Sequence, residues 1–545
     1  MPSHPSSGTL ARWFACVGVA VMLLALVGCG HKKPPPKPPR YPSLPAKQVP
    51  EFLKGTIFER VDLMNDQPLL VNNFGLVVNL DGTGSSVAPT AVRQYIIRQM
   101  LKRGFGSKLM PGFENMEPED VLKDPRVAIV QVDGLIPPGA RADERFDVQV
   151  SALGFPNNTT SSVARGELYR TDLAQNGANP NMPGIAINTL AWCEGPVFVN
   201  PAYALSNPKD PQVRSSLRFG VVLDGAINMQ DRPLFLRLRQ PQFSVSRSIE
   251  FRVDQGFLDI TVASAFDEGV VQLYVPRSYR GDWEHFAGVA THLYFNNSTA
   301  FNVAKSQELA AEAVKPGAPL EDISYCWEGL GTSALPNIVP LMNNPSPEVA
   351  FAAARAAAFL GDSSARTVLL DMARTQDHPF QLSAVRVLGG LPASPLVNQM
   401  LRSLLDSRQT VVRLDAYRIL AENRDPSIFS RVVNDKFILD IVPCAGPPLV
   451  YAARRGTPRI AIFGNKPSLI LPATFAALDN RLTISSQNGQ NVVSIFYRDP
   501  AVARPSAVRS FPDLADLVAR LGGEGAIEEP QMLDFCYGDV VAIVR

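Results

Sequence analysis

The chain has 545 residues, enough for several domains, and its 46% apolar and 19% charged residues suit a globular protein with real cores rather than a disordered one. Fifty-two Lys and Arg stand against 51 Asp and Glu, a net charge of +1, so overall charge implies no nucleic acid or other polyanion as partner.

In chain order, the first segment is set aside before any fold is argued. Arg12 precedes an apolar run from Trp13 to Val27, about 15 residues where a membrane span needs roughly 20. The run ends in Leu26-Val-Gly-Cys29, which resembles the lipobox of bacterial lipoproteins. The resemblance implies a signal peptide over residues 1–28, cleavage before Cys29, and lipid on the Cys29 sulfur and new amine. Gly30 stands where an Asp would favour inner-membrane retention, so sorting leans to the outer membrane. The competing reading is an uncleaved anchor helix. Residues 29–55 form a linker: Gly30–Pro50 holds eight prolines and five basic residues, and proline supports neither helix nor sheet. Such a stalk extends at ~3.1 Å per residue, a reach of roughly 65 Å. A solvated spacer is the simpler expectation. Contact of its lysines with anionic head groups or wall polymer is the other.

Beyond Cys16 and Cys29 remain Cys193, Cys326, Cys444 and Cys536. Export to an oxidising compartment admits one or two disulfides among them, and spacing does not choose among the three full pairings.

Residues 56–301 are rich in period-two stretches, among them Ala128–Val132, Phe146–Val150, Phe235–Arg239 and Val270–Val275. A helix is expected over Ala91–Arg103. Just before it, Asn79-Leu-Asp-Gly-Thr-Gly-Ser-Ser86 sits between a strand-like run and that helix, the layout of a phosphate-binding loop. No Lys follows Gly84, and the third glycine of a dinucleotide loop is missing, so turn chemistry is the better account. From 335 to 435 Ala-rich helices replace strands. Ala353-x-Arg355, Ala384-x-Arg386 and Ala416-x-Arg418 recur at spacings of 31 and 32 on two-helix units, which resemble short HEAT-like repeats of an α-solenoid. A plain helical bundle is the alternative. Residues 436–545 return to strands: Arg459–Phe463, Ser468–Leu471, Leu482–Ser485 and Val492–Phe496, with Asn488-Gly489 as hairpin turn, a helix over Leu514–Leu521 and a closing strand over Asp539–Arg545. The fold class is therefore α+β: a strand-rich region, a short α-solenoid and a second strand-rich region.

Catalytic chemistry finds no foothold. His285 and His292 fit one helix face, but no further Cys or His supplies a zinc site, and hydrogen-bonded or exposed histidines are expected. No Gly-x-Ser-x-Gly elbow occurs. Asp143-Glu144, read as strand neighbours, point to opposite faces and make no acid/base dyad. No enzyme, metal or cofactor is indicated.

The glycine turn has a better parallel. Phe74-Gly-Leu-Val-Val-Asn-Leu-Asp-Gly-Thr-Gly84 is similar to the Gly-Leu-Val-x-Gly-Leu-x-Gly-Thr-Gly hallmark of the flagellar P-ring protein family. Further motifs follow in family order: Leu135-Ile-Pro-Pro-Gly-Ala-Arg141, Arg145-Phe-Asp-Val-Gln-Val-Ser-Ala-Leu-Gly154, Gly166-x-Leu-x-x-Thr-x-Leu173, Asp224-Gly-Ala226 and Leu236–Phe243. The positions that carry them are Gly75, Gly82, Gly84, Pro137, Pro138, Arg141, Asp147, Gly154 and Gly166, and the resemblance covers about residues 56–293. It implies a structural subunit that self-associates into a ring around the flagellar rod, in the periplasm at the peptidoglycan layer, with the outer-membrane L ring as neighbour. Departures are Asn79 for the family's Gly, Gly139 for its Phe, the lipobox in place of a simple signal, and the solenoid.

Overall fold

The computed structural model describes residues 41–104, 113, 115–184, 188–204, 210–392, 394–478, 480–486, 491–498, 505–525 and 533–545. Cys29 and Asn488-Gly489 lie outside these residues. Pro45–Arg545 forms one compact unit; residues 41–44, described apart from it, hold no helix or strand. Helices are numbered below only where they have eight or more residues.

After β1 (Val61–Met64), six strands close into a barrel: β2 (Leu69–Val78), β3 (Ala128–Ile136), β4 (Arg145–Ala152), β5 (Glu167–Leu173), β6 (Ala191–Pro196) and β7 (Phe219–Asn228), in the order β2-β3-β4-β7-β6-β5. Every pair is antiparallel, and Val77 opposite Leu168 closes the ring of strands. Period two sends Val71, Val130, Val132, Val148, Val150, Leu168 and Ala226 into the barrel. The run Phe74–Val78 is buried on both faces, because α1 (Thr90–Lys102) lays Val92, Tyr95, Ile96 and Met100 over its outer side chains. That second cover explains why this strand is apolar throughout instead of alternating.

β1 pairs instead with β8 (Leu234–Leu238), which continues through β10 (Val270–Leu273) to β9 (Ala263–Ala265). One face of this sheet carries α2 (Phe243–Phe257) and α3 (Trp283–His292), which bury Leu234, Leu236 and Leu238 with Ile249, Val253, Phe286 and Ala290. The helical region starts earlier than the repeat spacing predicts: α4 (Thr299–Ala313) and α5 (Leu320–Leu330) fill the segment before residue 335. α6 (Pro347–Phe359), α7 (Ser363–Arg374), α8 (Gln381–Gly390), α9 (Pro395–Leu404) and α10 (Thr410–Glu422) follow. The repeat arithmetic holds in three dimensions. Ala353, Ala384 and Ala416 lie on α6, α8 and α10, each fully buried, since a methyl is all the space between stacked helices admits. The arginine two places on is exposed at Arg386 and Arg418 and half-buried at Arg355. Arg355 lies over the Tyr325 ring, while Arg386 and Arg418 share the Asp415 carboxylate at 3.5 and 3.4 Å.

The C-terminal region has two four-stranded sheets. β11 (Phe429–Val433), β12 (Phe437–Val442), β13 (Leu449–Ala452) and β14 (Arg459–Phe463) run in the order β11-β12-β14-β13; β15 (Thr474–Ala477), β16 (Leu482–Ser485), β17 (Val493–Tyr497) and β18 (Ser506–Ser510) run in sequence order. α11 (Leu514–Gly522) and α12 (Tyr537–Val544) pack against them. Two expected strands are absent. Ser468–Leu471 makes a single bridge, Ser468 to Asp513, because the following Pro472 and the exposed Ile470 offer no ladder. Asp539–Arg545 is the end of α12: Tyr537, Val540 and Ile543 recur every three residues on one buried face, a helical period that a run of valines disguises.

The end of the stalk is not a free spacer. Arg239 Nε donates to Pro45 O at 2.8 Å, Lys47 Nζ sits 3.3 Å over the Phe58 ring, and Val49 packs against the core of the helical region.

Candidate functional site

The motif residues identified by sequence are brought together, but as joints of the fold. The glycine turn holds Gly82 at φ +75°, a conformation glycine adopts without cost. Gly84 lies so close to the next segment that a Cβ would stand 2.4 Å from the Val127 carbonyl oxygen. The helix begins only at Thr90, six residues later, and not directly after the glycines as in a phosphate-binding loop. The Asp81 carboxylate bonds not its own backbone but Arg165, whose Nη1 donates at 3.0 Å. No phosphate cradle is built here. Gly75 and Gly166 permit two further close approaches inside the same end of the barrel, to Thr171 and Val77. Gly154 has open space around it.

Pro137 and Pro138 end β3 and start the turn that delivers Arg141 to the seam between barrel and sheet. There Arg141 Nε donates to Val275 O at 3.1 Å, and its Nη1 lies 3.4 Å from Asp231 Oδ2. Gly139, at φ +69°, leaves no room for the family's Phe: a Cβ would meet Val275 Cγ2 at 2.3 Å. Asp143 and Glu144 occupy the next turn, Asp143 at φ +65°, and not a strand.

Asp147 sits where the β4–β7 register slips between Phe146 and Val148. The bulge aims its carboxylate out of the ladder. It accepts from Asp224 N at 2.8 Å and, with both oxygens at 3.0 Å, from Gly456 N in the β13–β14 loop. Asp224, itself at φ +48°, accepts from Thr457 Oγ1 at 2.6 Å. Arg165 Nε donates to Asp539 of α12 at 2.9 Å, and Phe198 packs on Tyr537. The barrel is thus clasped to the C-terminal region through two motif acids and one arginine. Nothing in the sequence linked residues more than 200 positions apart.

The two histidines of α3 are both buried and both bonded. His285 Nε2 is 2.6 Å from Glu328 Oε2 and its Nδ1 3.5 Å from Asp282 Oδ2. Burial opposes its charge, but the Asp282 and Glu328 carboxylates more than offset this and raise it to about 9. His292 Nδ1 is 2.7 Å from Gly288 O, and its ring stacks on Phe58. These rings join the sheet's helix to the first solenoid helices. A second buried network joins α10 to the C-terminal sheet: Asp440 accepts from Tyr417 at 2.5 Å, from Ser430, and from Arg459 Nη1 at 3.0 Å.

The cysteines form no disulfide among the described residues; Cys193 and Cys326 are buried thiols, whose ionisation burial opposes. Cys193 sits inside the barrel, 3.6 Å from Thr171 O, and Cys326 faces Tyr294 in the core of the helical region. Cys193 and Cys326 thus lie in separate cores. A cleft of about 790 Å³ opens beside β5, lined by Lys102, Arg103 and Arg170 together with Glu167 and Glu194. Its lining has no His, Cys, Ser or Thr, so it offers mixed charge and no activated nucleophile of those types. Among the described residues no three His, Cys, Asp or Glu side chains are grouped to hold a metal ion, and no helix is long and apolar enough to cross a membrane.

Comparison with known proteins gives two family matches. Residues 62–303 match the profile of the flagellar P-ring protein family, and residues 326–389 that of HEAT repeats. The chain is similar to the flagellar P-ring protein of Photorhabdus laumondii, 30% identical over 213 residues, which are 37% of this chain and 51% of that protein. It is similar to that of Rhodospirillum rubrum, 29% identical over 217 residues, 38% of this chain and 51% of that protein. A third, from Aquifex aeolicus, is 26% identical over 213 residues, 38% of this chain and 52% of that protein. The chain spans about half the length of these curated relatives. Residues 62–303 hold a flagellar P-ring family domain, and HEAT repeats follow it at 326–389.

Proposed function

We propose that this protein is a structural subunit of the bacterial flagellar basal body, which forms or braces a periplasmic ring around the rod. The family match over residues 62–303, with its motifs in order, carries the reading. The motif side chains fix shape rather than reactivity, which suits a protein whose product is an assembly. Rod and L-ring components are its expected neighbours, with peptidoglycan beside the ring. Cys29 would carry the lipid that tethers it to the outer membrane, and the residues between Cys29 and the docked segment that starts at Pro45 would be the tether. The solenoid supplies a surface for a further flagellar or wall component.

A second reading is a membrane-tethered HEAT-repeat scaffold of the envelope unrelated to motility. It is favoured by the share of the chain, more than half, that lies outside the P-ring match. Electron microscopy of basal bodies from a strain lacking the gene separates the two. Loss or collapse of the ring is expected; an intact ring, together with a tagged copy absent from purified basal bodies, refutes the flagellar reading. Replacing Cys29 by Ala is expected to release the protein from membranes, and continued membrane association would refute the anchor.

A further inference from the structure

The ring reading requires each copy to present two different surfaces that fit one another, because a head-to-tail contact closes a circle and a self-complementary one closes only a dimer. The sheet of β1, β8, β10 and β9 presents two such surfaces on opposite sides. On the first, α2 buries Ile249 and Val253 and leaves its other face uncovered. That face and the segments at its two ends expose Phe243 (56%), Phe251 (69%), Leu258 (92%), Ile260 (87%) and Phe266 (64%). Phe243 and Phe251 are eight apart and so lie along one stripe of the helix. Gln242 N donates to Glu268 O at 2.8 Å, which brings the Phe266 loop to the start of that stripe. Leu258 caps its end in the left-handed conformation, φ +54°. Its backbone N–H bonds Asp254 O and so closes the helix, while its side chain is left in solvent.

Arg247 lies over the Phe243 ring at 5.4 Å and pairs with Glu250 at 2.7 Å, so a charged pair borders these apolar side chains. With about 200 Å² for each bare large side chain, the five fractions sum to roughly 700 Å², against about 800 Å² that a stable interface takes from each partner.

The second surface lies across the sheet. Val61 and Leu63 of β1 face the helices, so Met64 projects from the other side, and it is exposed. Leu70 and Leu135 form a cross-strand pair on the outside of the barrel, both exposed. Arg232 ties the two places together, donating to Asn65 Oδ1 at 2.8 Å and to Ile136 O at 3.0 Å.

Resting on the ring reading, we infer that copies of this chain join head to tail, the α2 stripe of one protomer seated on the Met64, Leu70 and Leu135 surface of the next. The substitutions Phe251→Glu and Leu135→Glu each damage one surface and neither touches a core. Sedimentation of the full chain in mild detergent should show large assemblies for the wild type. Each variant alone should associate at least about thirtyfold more weakly, the loss of one strong anchor. Mixing the two variants should restore pairing, but only to dimers, because each supplies one intact surface. Phe429→Glu, on an exposed strand of the C-terminal region, should assemble as the wild type does. A monomeric wild type, variants that assemble normally, or a mixture that stays monomeric overturns the inference. Any of these results with the tagged protein still present in basal bodies would sink the interface and leave the flagellar reading standing.

Discussion

His285 joins the P-ring family domain to the helical region as a buried cation. Its imidazolium sits 2.6 Å from Glu328 and 3.5 Å from Asp282, with Tyr325 and Phe359 rings closing it in. The group is raised from 6.5 to about 9 in the folded chain. A group raised on folding stabilises the protein fully below its unfolded value and loses that contribution as pH rises through its folded value. The window is therefore about pH 6.5 to 9. At ~1.4 kcal/mol per pH step the raise corresponds to about 3–4 kcal/mol, and solvent at the half-exposed Asp282 reduces it to about 3 kcal/mol. Trp327, fully buried on α5, reports opening of this joint by its fluorescence. Urea unfolding followed by that signal should show the wild type losing about 3 kcal/mol between about pH 6 and 9.5. His285→Gln should be less stable by a similar amount at about pH 6 and nearly flat across the window. If the two proteins lose stability in parallel with rising pH, the charged clamp is not what holds the joint.

Four further substitutions have defined outcomes. Gly84→Ala forces a methyl against the Val127 carbonyl oxygen and should cost about 1–3 kcal/mol in a thermal melt, whereas Gly154→Ala, with open space around it, should stay within about 0.5 kcal/mol. Asp440→Ala strands Arg459 and the Tyr417 hydroxyl at the joint of α10 and the C-terminal sheet, with an expected loss of about 3–5 kcal/mol in denaturant unfolding. At Asp425 burial opposes ionisation, but Arg402 at 2.7 Å and Ser427 more than offset it and lower the carboxyl to about 2. A depressed carboxyl stabilises above its unfolded value and fails as pH falls through its folded one, here from about pH 4 to 2. With Arg402 about 40% exposed, the effect should be about 1–2 kcal/mol, and Asp425→Asn should erase it from the acid limb.

What the sequence revealed followed from whether one physical rule governed a stretch. Period two gave the barrel strands, because each has one face inward. The 31-residue spacing gave the solenoid, because the same tight helix approach recurs at Ala353, Ala384 and Ala416. Where two rules competed, the reading failed. In Tyr537–Val544 the β-branched content argues for a strand and the spacing of Tyr537, Val540 and Ile543 for a helix, and the spacing prevailed because a core lay on that side. Contacts set by the tertiary fold were invisible. Asp147 and Gly456 are 309 residues apart, and no local pattern announces that one accepts from the other. The exposed stripe on α2 was equally hidden, since Phe243 and Phe251 look like core residues until Ile249 and Val253 are seen to occupy the core.

The motif that resembles the family and the surface proposed to build the ring therefore involve different residues. Gly75, Gly84 and Gly166 let segments approach more closely than any side chain permits, Arg141 holds a seam, and Asp147 holds a clasp within one chain. Gly139 shows how such a position changes without loss of the fold: its would-be Cβ lies against Val275, so the space open to a family Phe is already filled here. Phe251, Ile260 and Leu135 belong to none of these joints. Their exposure costs solubility and contributes nothing to the protomer. Substitution at the glycines should then lower the stability of the protomer, whereas substitution on the exposed stripe should weaken assembly and leave the stability of the protomer where it was. That separation distinguishes a surface retained for a neighbour from one that merely happens to be apolar.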